Sequence, residues 1–267
     1  MSRTLFPITL ILVLLSSCKS EFEAIRTSGN AEKMFAKANE YYAEEEFDKA
    51  ITLYELVIPS YRGKREAEDL YFNFANAHYI LGRYILSAHY FNTFSETYAV
   101  SPRREEALYL KAMSHYELSP KYKLDQADSE KAIEAFQFYV NSYPDSEKVG
   151  DCNEHIDELR RKMERKEFDA GRMYYNTRNY SSAIQALENM LKDYPESEQA
   201  EEARFLIAKS SYDWAENSIF LRQQERYEKT VQKCKYYLKK YPESRHTDEV
   251  TNFQNAALQQ LENIQNG

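Results

Sequence analysis

Glycine and proline are scarce in this sequence, at 6 and 7 of 267 residues. Both residue types interrupt helices, so their scarcity, beside abundant Ala, Glu, Lys, Leu and Tyr, predicts an all-helical protein. Long apolar runs are equally rare. The one that stands out lies within residues 5–15 and is too short to span a bilayer. The body of the chain is therefore not predicted to cross a membrane.

Positive charge is also in short supply, because 35 Lys and Arg residues face 43 Asp and Glu, a formal net charge of −8. We see no concentrated stripe of Lys or Arg that would offset this charge. A chain of this kind repels phosphate backbones, so nucleic acid is excluded as a partner. The tyrosine count, 23 against a single tryptophan, suits both helix packing and protein-binding grooves.

Motifs that carry catalytic or ligand chemistry are missing as well. The sequence has no glycine-rich phosphate loop, no His-Glu-x-x-His and no paired-cysteine metal site. Cys152 and His155 make at best half a metal site. His78, His89 and His115 sit among aromatic residues at helical spacing, where packing histidines with satisfied nitrogens are expected. The sequence therefore predicts no enzyme activity, no metal and no cofactor.

The N-terminus has the pattern of a bacterial lipoprotein leader. Arg3 precedes the apolar stretch, and Leu15-Ser16-Ser17-Cys18 resembles the lipobox. The resemblance implies a signal peptide at 1–17, and lipid attachment at Cys18 with diacylglyceryl and acyl (palmitate-type) chains that anchor stably. Lys19 in place of Asp favours the outer membrane. The alternative is an ordinary secretory leader with a chance cysteine. Residues 18–31 are expected to form a lipidated tether.

The two other cysteines, Cys152 and Cys234, lie far apart in the chain. An export compartment permits a disulfide, but residues so distant in an elongated array seldom meet. We expect both to be buried small apolar residues.

A short motif recurs in the body of the chain. Its three copies begin with Tyr-Pro, followed by an acidic residue and serine: 143–146, 194–197 and 241–244. Proline ends a helix, and the acidic residue and serine can cap the next one. An amphipathic run precedes each copy, and its clearest examples are Lys131-Ala132-Ile133 and Ser182-Ala183-Ile184.

Together these runs resemble the tetratricopeptide repeat (TPR), which needs small residues where its two helices meet and an aromatic beside them. The first copy has Ala38, Tyr41, Phe47, Ala50, Tyr54 and Val57; the second has Ala75, His78, Gly82, Tyr84, Ser87, Phe91 and Phe94; the fourth has Gly171, Tyr174, Tyr180, Ala183, Leu187, Met190 and Pro195. Copies three and five carry extra residues, near 119–129 and 217–227.

The implied fold is a right-handed superhelical solenoid of about five TPR repeats, at 32–64, 68–102, 105–145, 160–196 and 200–243. Repeats one to three form a segment at 32–145. A second segment, 146–267, holds a linking helix near 145–166, repeats four and five, and a capping helix from about Asp248. Stacking of three or more such copies buries a continuous core.

The lipobox, the five repeats and the recurring motif together resemble the BamD family of the β-barrel assembly machinery. The resemblance implies a non-enzymatic outer-membrane lipoprotein that faces the periplasm, binding the BamA barrel protein and unfolded outer-membrane proteins. The substrate groove would fall on first-helix side chains of repeats one to three: Tyr42, Tyr71, Asn73, Asn76 and Tyr79. BamA docking would fall near Arg172, Tyr175 and Asn176.

Other functions fit parts of the same pattern. Other TPR lipoproteins include pilotins for pilus secretins and periplasmic coordinators of cell-wall synthesis; the coordinators usually begin with a coiled coil and lack a lipobox. An enzyme would need the catalytic constellation that we do not find. Glycan-capture lipoproteins with such repeats are far longer.

Overall fold

The computed structural model describes residues 21–266, and within that range it contains helices and no strand. The helices are α1 (Glu21–Arg26), α2 (Ala31–Ala43), α3 (Phe47–Tyr61), α4 (Ala67–Ile80), α5 (Tyr84–Thr97), α6 (Arg104–Leu118), α7 (Ala127–Ser142), α8 (Val149–Asn176), α9 (Tyr180–Asp193), α10 (Ala200–Glu216), α11 (Phe220–Lys240) and α12 (Thr247–Asn266). The prediction of an all-α protein built from TPR-type helix pairs is confirmed. Cys18 and the leader lie outside the described residues.

The described residues divide into two compact units. Unit 1 contains the described residues up to 120, together with 126–156. Unit 2 contains 121–125 and the described residues from 157 onward. The helix pairs α2–α3, α4–α5 and α6–α7 lie in unit 1, and α9 to α12 lie in unit 2. Helix α8 contributes residues to both units.

Each helix pair is held close by small residues. Ala38 and Ala50 of the first pair, and Ala112 and Ala132 of the third, are fully shielded from solvent. In the fourth pair Gly171 of α8 lies directly against Leu187 of α9. A larger side chain at these points would push the helix axes apart, so the small residues set the spacing of each pair.

Large aromatic side chains fill the space beside these contacts. In unit 1, Tyr54 is completely buried and Phe72 is buried beside Phe91 and Phe94, with ring centroids 5.5 and 5.4 Å apart. In unit 2, Tyr237 takes the corresponding place against Phe205. Side chains of this size contribute most of the apolar area that folding removes from water.

Three of the pairs are joined by the same tight turn. Its central residue, Glu45, Gly82 or Arg178, has a left-handed backbone with φ of 61°, 69° or 60°. Backbone N–H groups on either side reach back to the last helical carbonyls, as in Glu46 N to Tyr41 O at 2.8 Å. This is the Schellman arrangement that ends many helices.

The extra residues of the third and fifth pairs have different places in the structure. Residues 119–126 form a loop between α6 and α7, and 121–125 of that loop belong to unit 2. In the fifth pair only 217–219 separate the helices, and the other extra residues lengthen α11 at its start. The extra residues therefore form an insertion between the helices of the third pair and a longer second helix in the fifth pair.

The serine of the recurring motif does not cap the next helix as predicted: it lies in the turn before that helix, and α10 has no side-chain cap. The hydroxyl oxygens of Ser146, Ser197 and Ser244 each accept a hydrogen bond from the backbone N–H two residues later, at 3.0–3.3 Å. Each hydroxyl also donates to a glutamate near the first helix of its own repeat: Glu105, Glu164 or Glu201, at 2.5–2.7 Å. The motif therefore ties the end of each repeat to its beginning.

The structure contains a fourth serine–glutamate hydrogen bond of this kind, which the sequence motif did not predict. Ser101 donates to Glu68 and accepts from the backbone N–H of Arg103, although no proline stands between Tyr98 and Ser101. The Tyr-x-x-Ser spacing was the available signal. At Glu105 the hydrogen bonds from Ser146 and Tyr139 lower the pKa of the carboxyl, so the cluster favours the charged form.

Part of the segment expected to be a tether is helical. Helix α1 packs onto unit 1 through Phe22, whose ring centroid lies 5.9 Å from that of Tyr41. Glu21 also pairs with Lys37 at 3.1 Å. This short helix has two apolar side chains that pack, Phe22 and Ile25, too few for periodicity to reveal it.

We predict that Gly171→Ala lowers the free energy of unfolding by about 1–3 kcal/mol. A Cβ at position 171 would lie 2.5 Å from Cγ of Leu187, which is fully buried and has no room to move. The matched control is Gly150→Ala in the same helix, where a Cβ meets nothing within 4 Å. Thermal melts should show the control unchanged or stabilised by up to about 1 kcal/mol. Equal melting temperatures for the two variants would contradict the close-approach account.

Candidate binding surfaces

One tyrosine recurs at the same place in every first helix. Counting four residues on from the small residue of each pair gives Tyr42, Tyr79, Tyr116, Tyr175 and Tyr212. All five are partly buried, which leaves part of each ring accessible. Tyr42, Tyr79 and Tyr175 were among the predicted site residues, whereas Tyr116 and Tyr212 were not. An alignment of the repeats on their small residues would have found both.

Each of these rings has an aromatic partner that fixes its position. Across the tight turns the pairs are Tyr42–Phe47, Tyr79–Tyr84 and Tyr175–Tyr180, with centroids 5.5, 5.5 and 5.9 Å apart. The third and fifth pairs lack this tight turn, and there a later helix supplies the aromatic partner. Those partners are His155 for Tyr116 and Phe253 for Tyr212, at 4.4 and 5.1 Å. Rings held in this way lose little further freedom on binding a ligand.

Polar side chains link the first two repeats of unit 1. The amide of Asn76 donates to the Tyr42 hydroxyl at 2.6 Å. One turn earlier, the Tyr54 hydroxyl donates to Asn39 at 2.7 Å and also bonds the side chain of Asn73. Asn39 was missed, although it follows Ala38 as Asn76 follows Ala75. These hydrogen bonds arrange the Asn and Tyr side chains in an ordered row along α2 and α4.

The structure therefore brings together most of the predicted groove. Tyr42 and Asn76 are in contact, Asn73 lies one turn from Asn76, and Tyr79 follows on the same helix. Burial is the main cause that raises the pKa of the Tyr79 hydroxyl, with Glu117 adding to it. Tyr71 instead packs on α5, with its ring centroid 6.0 Å from that of Tyr98. Tyr71 lies four residues before Ala75, and from this position its side chain faces the second helix of its own pair.

The three residues of unit 2 that were predicted for BamA docking do not share one surface. Arg172 and Asn176 are exposed, one turn apart, and line one surface depression of about 520 Å³. Arg172 is paired with Asp169 at 2.8 Å. Tyr175 lies against the unit 2 core, and its hydroxyl donates to Asp213 at 2.8 Å. That bond and burial raise the pKa of the hydroxyl, so Tyr175 serves to position α8 against α10.

The other chemistry-bearing residues are packing residues. Cys152 and Cys234 are buried free thiols, as predicted, and burial raises their pKa values to about 11 and about 12. His155 packs against Tyr116 and Phe136. Within residues 21–266 we find no group of three His, Cys, Asp or Glu side chains that could hold a metal ion. Across the same range, none of the helices combines the length and apolarity that a membrane span requires.

His78 corrects one expectation, because its nitrogens are not satisfied. The ring is 4% exposed and packs between Phe74 and Tyr90, with centroids 4.8 and 5.3 Å away. Neither nitrogen has a hydrogen-bond partner among the described residues, and Nδ1 of His115 has none there either. Burial, assisted by nearby Arg83, lowers the pKa of His78 to about 4. The histidine is neutral and acts as an aromatic packing residue behind the α4 surface.

The fold defines a class of protein: an all-α array of TPR-type helix pairs. The family model for YfiO, described as outer membrane lipoprotein, matches residues 27–218 and 172–264. The chain belongs to this family of outer membrane lipoproteins.

Two curated relatives are both named outer membrane protein assembly factor BamD. The Caulobacter vibrioides protein is 27% identical over 134 residues, which is 50% of this chain and 44% of that protein. The Rickettsia prowazekii protein is 20% identical over 210 residues, covering 79% of this chain and 84% of that protein. The chain thus spans less than half of the first relative and most of the second.

Solved structures of similar architecture are TPR proteins. The TPR2AB-domain:pHSP90 complex of yeast Sti1 matches at a TM-score of 0.40 and 15% identity, covering 85% of this chain and 98% of that one. The TPR domain of P58(IPK) matches at 0.41 and 14% identity, covering 94% and 64%.

We predict that acid weakens the fold through His78. The pKa is near 6.5 in the unfolded chain and about 4 in the folded one, so the unfolded state binds the proton more readily. The stabilisation is complete above pH 6.5 and is lost as the pH falls towards 4, up to about 3 kcal/mol. Denaturant unfolding at pH 7 and pH 4.5 should show a smaller pH effect in His78→Phe than in the wild type. The control His89→Phe, at an exposed position, should keep the wild-type pH effect. An equal pH effect in His78→Phe and the wild type would contradict this assignment.

Proposed function

We propose that this chain is a non-enzymatic, lipid-anchored scaffold that helps β-barrel proteins fold and insert into the outer membrane. In this proposal Cys18 carries the lipid and the described residues face the periplasm. Unit 1 receives unfolded barrel proteins, and unit 2 docks on the periplasmic domains of a BamA-like barrel protein. Membership of the outer membrane lipoprotein family and the names of the two curated relatives support this proposal.

The observation that carries the proposal is the ordered row of Asn and Tyr groups in unit 1. An unfolded barrel segment is an extended chain with aromatic side chains and unsatisfied backbone groups. Tyr42, Tyr79 and Tyr116 offer fixed rings at intervals of one repeat, and Asn73 and Asn76 offer amide groups between them. Aromatic rings with polar tips are the side chains that most often dominate protein-binding energy.

For unit 2 the proposal assigns docking to the exposed part of α8. Arg172 and Asn176 project from one side of the helix into the same depression. Tyr175 acts indirectly, because its bond to Asp213 holds α8 in place. A charged and a polar group on a rigid helix can fix the register of a partner.

We predict that Tyr79→Ala weakens binding of unfolded barrel segments by about 10-fold or more, as truncation of an aromatic hot spot does. The measurement uses the full lipidated chain in detergent and a fluorescent peptide with the sequence of a barrel protein's last β-strand. The matched control is Tyr212→Ala, the equivalent tyrosine of the fifth repeat. It should leave peptide binding unchanged. Equal affinities for Tyr79→Ala and the wild type would refute the groove.

The partners themselves are tested by affinity capture of the tagged lipoprotein from mild-detergent membrane extracts. We expect BamA and barrel precursors to be recovered, and Cys18→Ala to shift the protein out of the membrane fraction. Recovery of a pilus secretin or a cell-wall synthase without BamA would instead assign the chain to one of the other lipoprotein functions.

A further inference from the structure

An aromatic residue of the loop between α6 and α7 contacts α8. The Tyr122 hydroxyl donates to Asp169 at 2.9 Å. The guanidinium of Arg165 lies over the Tyr122 ring, 4.4 Å from its centroid. Both contacts fall within unit 2, so residues 121–125 form a wall beside this helix.

The space between the wall and α8 is a cleft of about 730 Å³ that is strongly basic. Its charged lining consists of Lys121, Lys123, Arg161, Lys162 and Arg165, against the single carboxylate of Glu158. We call it the basic cleft. The neighbouring depression shares Tyr122 and Lys123 with it and continues along α8 to Arg172. The expectation that this acidic chain has no concentrated group of Lys and Arg is therefore wrong at α8.

Like charges lie close together in the basic cleft. Arg161 and Arg165 are exposed and lie one helical turn apart, as Lys162 and Lys166 do, and like charges at this spacing repel. Partial burial also lowers the pKa of Lys162. A negatively charged ligand in the cleft would relieve both effects.

The shape and lining of the cleft indicate a peptide as this ligand. Apolar side chains stand beside the charges: Tyr122 in the wall, Leu124 at 58% exposed, and Met173 at 54% exposed along the continuing depression. A concave surface with a few placed polar groups suits an inserted chain better than a flat bilayer surface. An extended segment with several carboxylates and one large apolar side chain would match both features.

We propose that the basic cleft is the docking site for an acidic, extended segment of the protein partner that unit 2 binds. The inference rests on the proposed function, because the partner used to test it is the periplasmic part of BamA. It goes further in naming the chemistry of the segment, the wall at 121–125 and the residues Lys123 and Arg161 that receive it.

The test measures binding of the full chain to the purified periplasmic domains of BamA from the same organism. Lys123→Glu combined with Arg161→Glu reverses two exposed charges of the cleft. The matched control is Lys239→Glu with Lys240→Glu, which are exposed at the end of α11 and change the net charge equally. We expect the cleft variant to bind about 10-fold or more weakly and the control to stay within about 2-fold. Added salt should weaken wild-type binding more than that of the cleft variant.

Each other outcome overturns the proposal in a recognisable way. Equal weakening of both variants would mean a general charge effect, and unchanged binding of both would mean that the partner docks elsewhere; in either case the proposed function survives. Failure of the wild type to bind would sink the proposed function and this inference with it. If phosphatidylglycerol vesicles sediment the wild type but not the cleft variant, while BamA binding is equal, the cleft binds lipid instead.

Discussion

The close approach of two helices at small residues is the constraint on which the rest of this structure depends. In the first pair Ala38 of one helix and Ala50 of the other are both fully shielded from solvent. In the fourth pair the contact has no room for even one methyl group. This spacing leaves cavities of a fixed size beside the contact, which the aromatic side chains fill at the density of a protein interior.

The candidate binding surfaces follow from the same constraint. Because the small residue fixes the contact, a tyrosine four residues later falls at the same place in every first helix. The tight turn then brings the first aromatic of the second helix against that tyrosine, as in Tyr79–Tyr84. Residues with a structural role thus also form an ordered, partly exposed surface. An ordered surface binds an extended chain at a lower entropic cost than a mobile one.

Helix content, repeat type and the turns that contain the motif serines could be predicted because each has a local signal, such as the Tyr-Pro-acidic-Ser motif. The glutamate partners of those serines lie 33–43 residues away, a distance that no local pattern reports. Helical spacing was enough to place Asn73 and Asn76 one turn apart on α4, but it does not report the contact of Tyr71 with Tyr98. The basic cleft was missed because its wall comes from residues 121–125, across an insertion.

The central claim is that the chain assists barrel insertion by binding, without chemistry of its own. Its most direct test is the rate at which an unfolded barrel protein folds into vesicles that contain BamA, with and without the full lipidated chain. The account predicts a several-fold faster rate with the wild-type chain, proportional to the amount bound, and no such gain with a variant that lacks the tyrosines at 42, 79 and 116. A rate that does not change when the chain is added and bound would contradict it.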